Sequence, residues 1–160
     1  MASILVVDDD EAIRDTLCEL FSGEYLCHTA ETAERALTLL RSEIYDVVLT
    51  DISMPGLSGL ELLGHVLQTY PGTPVIVISG IGDQEHAQGL IDLGAFDYLL
   101  KPFRLEVVEE SVSRAMTYRR TLANRAADSD QTGAAASQSR DSTKADWAIV
   151  NDGVNKKPDG

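Results

Sequence analysis

Three acids in a row, Asp8, Asp9 and Asp10, follow directly on the apolar run at residues 4–7, and Glu11 adds a fourth. Carboxylates this close repel, and they drive one another toward protonation unless a cation relieves them. Three more residues with chemical capacity stand in the same relation to apolar runs. Asp51 follows residues 47–50, Ser79 ends the run 75–79, and Lys101 follows residues 98–100. Carboxylates at this density suit a hard, oxygen-seeking cation, and Mg2+ typically keeps several waters while taking one or two carboxylates and a phosphate oxygen. A metal and an ammonium beside a carboxylate also supply what phosphoryl transfer needs: an in-line nucleophile and positive charge on the equatorial oxygens.

These residues meet only if the fold gathers them. Five short apolar runs, at 4–7, 25–29, 47–50, 75–79 and 98–100, alternate with segments of helical period, the pattern of βα units around a parallel sheet. Ile13, Leu17, Leu20 and Phe21 make one helical stripe, and Ala33, Ala36, Leu37 and Leu40 a second. Leu60, Leu63 and Leu67 make a third, and Leu105, Val108, Val112 and Ala115 another. A helix over about 83–93 has a thinner stripe interrupted by Gly89, while Gly23, the "MPGLSG" and "PGTP" stretches and Gly94 punctuate the elements. In an open parallel sheet the carboxyl ends of the strands form one edge, where ligands bind. Three carboxylates, a hydroxyl and an ammonium then face one pocket. Taken alone, a strand-ending Asp is more often a helix cap than a catalyst, and Asp10 and Glu11 fit that role at a helix N-terminus.

The segments "ILVVDDD", "VVLTDISMPGLSG", "VIVISG" and "FDYLLKPF" resemble, in order and spacing, the receiver domain of two-component response regulators over about residues 3–120. The resemblance implies a flavodoxin-like (βα)5 fold, a doubly wound parallel sheet of strand order 2-1-3-4-5. It implies Asp51 as phosphoryl acceptor, Asp9 and Asp51 as direct Mg2+ ligands with the Ser53 backbone carbonyl as a third, and Asp8 acting through water. Ser79 corresponds to the hydroxyl that meets the phosphoryl group, Lys101 to the cation on its far side, and Tyr98 to an aromatic switch. The Lys101–Pro102 bond is expected to be cis. Movement of Ser79 toward an acyl phosphate would let Tyr98 turn inward and alter the face formed by the fourth helix, fifth strand and fifth helix. An ordinary half-buried strand aromatic is the alternative for Tyr98. Implied partners are a sensor histidine kinase or phosphotransfer protein, a downstream protein target or an output domain beyond this chain, and a second copy in a phosphorylation-dependent homodimer. "GAFDYLLKPF" is common in receivers attached to AAA+ transcriptional activators. Gly80 stands where the family more often has Ala, and Asp10 where Glu is frequent. Ser53 and Ile81 flank the path of the hydrolytic water in the family, and neither can act as a general base, so slow self-dephosphorylation is expected.

Composition sets outer bounds. The 160 residues are 44% apolar and 24% charged, ordinary for a globular protein, with a receiver domain expected over 1–122 and a low-complexity, disordered tail over 123–160. The net charge of −13 opposes direct contact with nucleic-acid phosphates. No run reaches membrane-spanning length, and the amino terminus turns acidic too soon for a signal peptide, so a cytoplasmic protein is expected. Cys18 and Cys27 lack metal spacing and are expected as reduced thiols. His28, His65 and His86 lack ligand spacing and are expected in surface or packing roles. Residues 147–150, with Trp147, are an apolar patch in the tail, either an isolated exposed aromatic or a docking motif. A haloacid-dehalogenase-like phosphatase also uses an Asp nucleophile with Mg2+, but it wants an acid two residues later, where Ser53 stands. A receiver-like module that has lost phosphorylation finds little support, because every chemical position is filled.

Overall fold

The three innermost strands are nearly pure runs of branched apolar residues, SILVV, VVLTD and VIVIS, and every residue of them is buried. Such runs suit strands covered by helices on both faces. The computed structural model describes residues 1–52, 56, 58–80 and 84–132, with the side chains of 84–87 and 126–132 excepted. Its elements run β1 (Ser3–Val7), α1 (Glu11–Phe21), β2 (Leu26–Ala30), α2 (Ala33–Ser42), β3 (Val47–Asp51), α3 (Gly59–Thr69), β4 (Val75–Ser79), α4 (Gln84–Leu93), β5 (Asp97–Leu100) and α5 (Leu105–Thr132). The strands pair in parallel in the order β2-β1-β3-β4-β5, a flavodoxin-like doubly wound sheet.

Alternation along the strands divides the core into two layers. Ile4, Val6, Val47, Leu49, Ile76 and Ile78 pack with Leu17 and Phe21 of α1 and with Val108, Val112 and Ala115 of α5. Leu5, Val7, Val48, Val75 and Val77 point the other way, onto Ala36 and Leu40 of α2, Leu62, Leu63 and Val66 of α3, and Leu90 and Ile91 of α4. Caps fix where the helices start: the Asp10 side chain accepts from Ala12 N at α1, Thr32 caps α2, and Ser58 and Glu61 form a capping box at α3. At the far end of α4, Gly94 adopts φ +124°, where a Cβ would also meet Leu67 Cδ1 at 2.9 Å.

α5 is held at two points. Asp97 Oδ2 accepts from Ser111 Oγ at 2.7 Å and Arg114 Nη2 at 2.8 Å, while Arg119 Nη1 donates to the Gly72 carbonyl at 2.9 Å and its Nε lies 3.6 Å from Asp46 Oδ1.

Several details differ from the sequence expectations, each for a physical reason. β2 sits one residue later than expected because LCHTA is an edge strand with mixed exposure and no clean apolar boundary. Leu60 and Leu105 are 44% and 39% exposed, and α3 instead buries Gly59, which packs directly onto the end of β3. α5 continues to Thr132, across residue 122, because Ala- and Arg-rich sequence sustains a helix without an apolar stripe. His28 Nδ1 pairs with the buried Tyr45 hydroxyl at 2.7 Å, a packing role, and His65 is exposed. The side chain of His86, residues 147–150 and most of the expected tail lie outside the described residues.

The two cysteines are a correction. They form a disulfide between α1 and β2 rather than remaining as separate thiols. The spacing of nine residues matches no metal motif, yet the turn between helix and strand returns Cys27 to face Cys18, with a Cα–Cα distance of 5.5 Å inside the range a disulfide spans. Reduction is expected to lower stability by about 2 kcal/mol, the scale for a crosslink closing a short loop. The denaturant midpoint with and without reductant measures this, and alkylation of both thiols in the unreduced native protein would show that the bond is not made.

Candidate functional site

The carboxyl edge of the sheet collects the charged residues. Asp8 follows β1, Asp51 ends β3, Ser79 ends β4 and Lys101 follows β5, so each is delivered by the strand that precedes or contains it. Backbone hydrogen bonds stitch these ends together: Asp8 N to Ala30 O, Ile52 N to Ile78 O, and Lys101 N to Ser79 O at 2.8 Å. The Lys101–Pro102 peptide is cis.

Carboxylate oxygens of Asp8, Asp9 and Asp51 all lie within 4.8 Å of one another. Asp8 is fully buried and Asp51 nearly so, whereas Asp9 is exposed. The Lys101 ammonium reaches Asp51 Oδ2 at 3.1 Å and Asp8 Oδ2 at 3.4 Å, so one cation bridges two of the three acids. Asp8 Oδ1 accepts from the Asp10 amide at 2.9 Å, but Oδ2 is buried with no hydrogen-bond partner, although Lys101 attracts it. An all-oxygen donor set with one buried, under-satisfied carboxylate oxygen fits a hard divalent cation or a water bound to one.

Electrostatics follow from that geometry. Burial pushes the Asp8 carboxyl above the usual aspartate range and the Asp51 charge adds to the rise, against the Asp10 amide and Lys101, which lower it. Burial works to lower Lys101, but Asp51 and Asp8 together outweigh it and hold the ammonium above its ordinary value.

Ser79 is fully buried, and its hydroxyl has no hydrogen-bond partner among the described residues. Tyr98 pairs in register with Val77, is half-buried, and packs against the layer formed by α2, α3 and α4. The structure therefore brings Asp8, Asp9, Asp51 and Lys101 into one cluster, with Ser79 and Tyr98 on the two strands beside it. Ser53 and Ile81 lie outside the described residues.

Two supporting residues escaped the sequence analysis. Gly59 opens α3 beneath the end of β3, and a Cβ there would overlap the Asp51 carbonyl oxygen and approach Ile52 Cα at 2.7 Å. Its sequence signal is its place at the end of the turn-rich "MPGLSG" stretch, directly after the Ser58 cap. Arg14 Nη1 donates to the Asp8 carbonyl at 2.6 Å. A cation in the first turn of a helix runs against the dipole preference for acids there, and that mismatch was the available clue.

Comparison with known proteins agrees with this architecture. A family model described as the response regulator receiver domain matches residues 4–113. The DNA-binding transcriptional regulator NtrC of Salmonella typhimurium is 40% identical over 116 residues, covering 72% of this chain and 25% of that protein. The response regulator protein FleR of Pseudomonas aeruginosa is 36% identical over 114 residues, covering 71% and 24%. Among solved structures, a response regulator receiver domain protein from Clostridium thermocellum superimposes with a TM-score of 0.73 at 30% identity, covering 76% of this chain and 99% of that one. The receiver domain of NtrX from Brucella abortus gives 0.69 at 36% identity, covering 71% and 98%. The chain belongs to the response regulator receiver domain family of two-component signal transduction. It spans about a quarter of the length of the curated relatives it matches. Among the described residues, no helix is long and apolar enough to cross a membrane.

Two outcomes follow from the buried acids and the glycine beneath them. A carboxyl whose folded pKa is raised binds its proton more tightly in the folded than in the unfolded chain, so its contribution to stability is lost as pH rises through the folded value. In chelator, the protein should therefore gain stability as pH falls from neutral into the window between Asp8's raised value and the ordinary one, and Asp8→Asn should be more stable at pH 7 and lose that gain. Thermal melts across pH measure it, and a wild-type profile parallel to that of Asp8→Asn counts against the assignment. Gly59→Ala should cost about 1–3 kcal/mol, the scale of overpacking, by denaturant titration. A neutral result would mean that the end of β3 yields easily.

Proposed function

We propose that this chain is a phospho-acceptor. It takes a phosphoryl group from the phosphohistidine of a sensor kinase or phosphotransfer protein onto Asp51, and signals the change through the face made by α4, β5 and α5. The observation that supports this most directly is the cluster at the sheet's carboxyl edge, where Lys101 bridges the near-buried Asp51 and the fully buried Asp8. Membership in the receiver family supplies the reaction class.

In this reading an Asp51 oxygen forms the new bond to phosphorus as the phosphorus–nitrogen bond of the donor breaks, and the imidazole leaves on the far side. Asp9, Asp51 and the Ser53 backbone carbonyl would hold Mg2+, and Asp8 would act on it through water. When bound, Mg2+ neutralises charge on the equatorial oxygens of the phosphoryl group and relieves repulsion among the acids. Lys101 neutralises charge from the opposite side. The Ser79 hydroxyl, buried without a hydrogen-bond partner among the described residues, donates to a phosphoryl oxygen and leaves room for Tyr98 to turn inward. The chain turns over no external substrate. Its readers are a downstream protein target, an output domain of a longer regulator or a second copy in a phosphorylation-dependent homodimer. Residues 1–122 form the receiver and 123–160 a tail that contributes little to it. The setting is cytoplasmic, with no direct role for nucleic acid or membrane.

Incubation with acetyl phosphate and Mg2+ followed by intact mass measurement tests the proposal. One phosphoryl group should be added, and either chelator or Asp51→Asn should abolish the gain. An unmodified wild-type mass under these conditions, or labelling that persists in Asp51→Asn, would overturn it.

A further inference from the structure

The turn around Asp8 holds it by several contacts, and one of them comes from a side chain that no part of the proposed reaction uses. Asp8 N donates to Ala30 O, Asp8 Oδ1 accepts from Asp10 N, and Asp8 Oδ2 faces Lys101. The Asp8 carbonyl lies beyond the last paired residue of β1, so no strand ladder serves it. Arg14, half-buried on the first turn of α1, folds back and donates Nη1 to that carbonyl at 2.6 Å. Arg14 is itself fixed, because its backbone N–H donates to Asp10 O and the Asp10 side chain caps the same helix at Ala12 N.

The Asp8 carbonyl shares a rigid peptide plane with the Asp9 amide. Holding that oxygen orients the plane from which Asp9 departs, and the Asp10 amide bonded to Asp8 Oδ1 ties down the plane on its other side, so the two contacts together restrict how the Asp9 side chain leaves the chain. Asp9 is the exposed member of the acid cluster and lacks the burial that confines Asp8 and Asp51.

We infer that Arg14 is a positioning residue for the divalent cation site: through the Asp8–Asp9 peptide it holds the Asp9 carboxylate in register with Asp8 and Asp51. The inference rests on the reading of that cluster as a Mg2+ site. Arg14 touches neither the metal nor the phosphoryl group.

The sign of the effect separates positioning from charge. Removing a cation from the turn that carries Asp8 and Asp9 should, by electrostatics alone, tighten Mg2+ binding or leave it unchanged. Removing a group that orients ligands should weaken it, typically by 10-fold or more. Mg2+ titration calorimetry on the full 160-residue chain at constant ionic strength reads the difference. Arg14→Ala should bind Mg2+ about tenfold more weakly while keeping the wild-type circular dichroism spectrum, and Arg14→Lys, which keeps the charge and one donor, should recover most of the affinity. An Arg14→Ala affinity equal to or tighter than wild type overturns the inference. So does a lowered melting temperature with an unchanged Mg2+ dissociation constant, the signature of a purely structural arginine. Asp9→Ala tells the two failures apart. If wild type binds and Asp9→Ala does not, an unaffected Arg14→Ala sinks the positioning role alone. If wild type itself does not bind Mg2+, the reading of the acid cluster fails and the inference with it.

Discussion

Mutual repulsion among Asp8, Asp9 and Asp51 is the constraint to which the rest of this molecule answers. Three carboxylates within 4.8 Å, two of them buried, oppose folding unless positive charge or protons offset them. Lys101 supplies one positive charge from the end of β5, two strands from β3. It reaches the acids from a fixed place because the backbone bond from Lys101 N to Ser79 O holds the end of β5 against β4. Burial, with the Asp51 charge adding to it, still holds the Asp8 pKa above its ordinary value. A fold that keeps such a site stores an affinity for cations at the expense of its own stability in their absence.

The core exists on a scale that can carry this cost. Two apolar layers, one under α1 and α5 and the other under α2, α3 and α4, clamp the three central strands from both sides. The fully buried Val, Ile and Leu side chains of these layers favour the folded sheet by about 25 cal/mol for each Å2 of apolar surface removed from water, against the repulsion at its edge. The site can therefore stay poorly neutralised while the sheet beneath it stays rigid, and that rigidity gives the acids fixed spacing.

Much of this was legible in the sequence, and unevenly so. The inner strands were plain because their runs are continuous and apolar, and each ends on the residue that matters: Asp8, Asp51 or Ser79. Parallel topology then gathers those ends whatever the helices do. Edge features were harder. LCHTA could not place β2 to the residue, since an edge strand carries no strict alternation, and the long α5 outran its apolar stripe because helix propensity alone extends it. Arg14, Gly59 and the Cys18–Cys27 bond were hidden for a common reason. Each acts through a contact with main chain or with a partner on another element, and side-chain periodicity holds no record of such contacts.

The anchoring of α5 carries a mechanical consequence. Asp97 grips the helix at Ser111 and Arg114, and Asp46 and Gly72 grip it at Arg119, so its first half is fastened to the sheet at both ends. Beyond Arg119 the same helix runs a further 13 residues to Thr132, about 20 Å at 1.5 Å per residue. The clamp at Arg119 is a fulcrum and the extension a lever arm. Were the gripped half to tilt by about 5° with the helix staying straight, its far end would move by about 2 Å over that length.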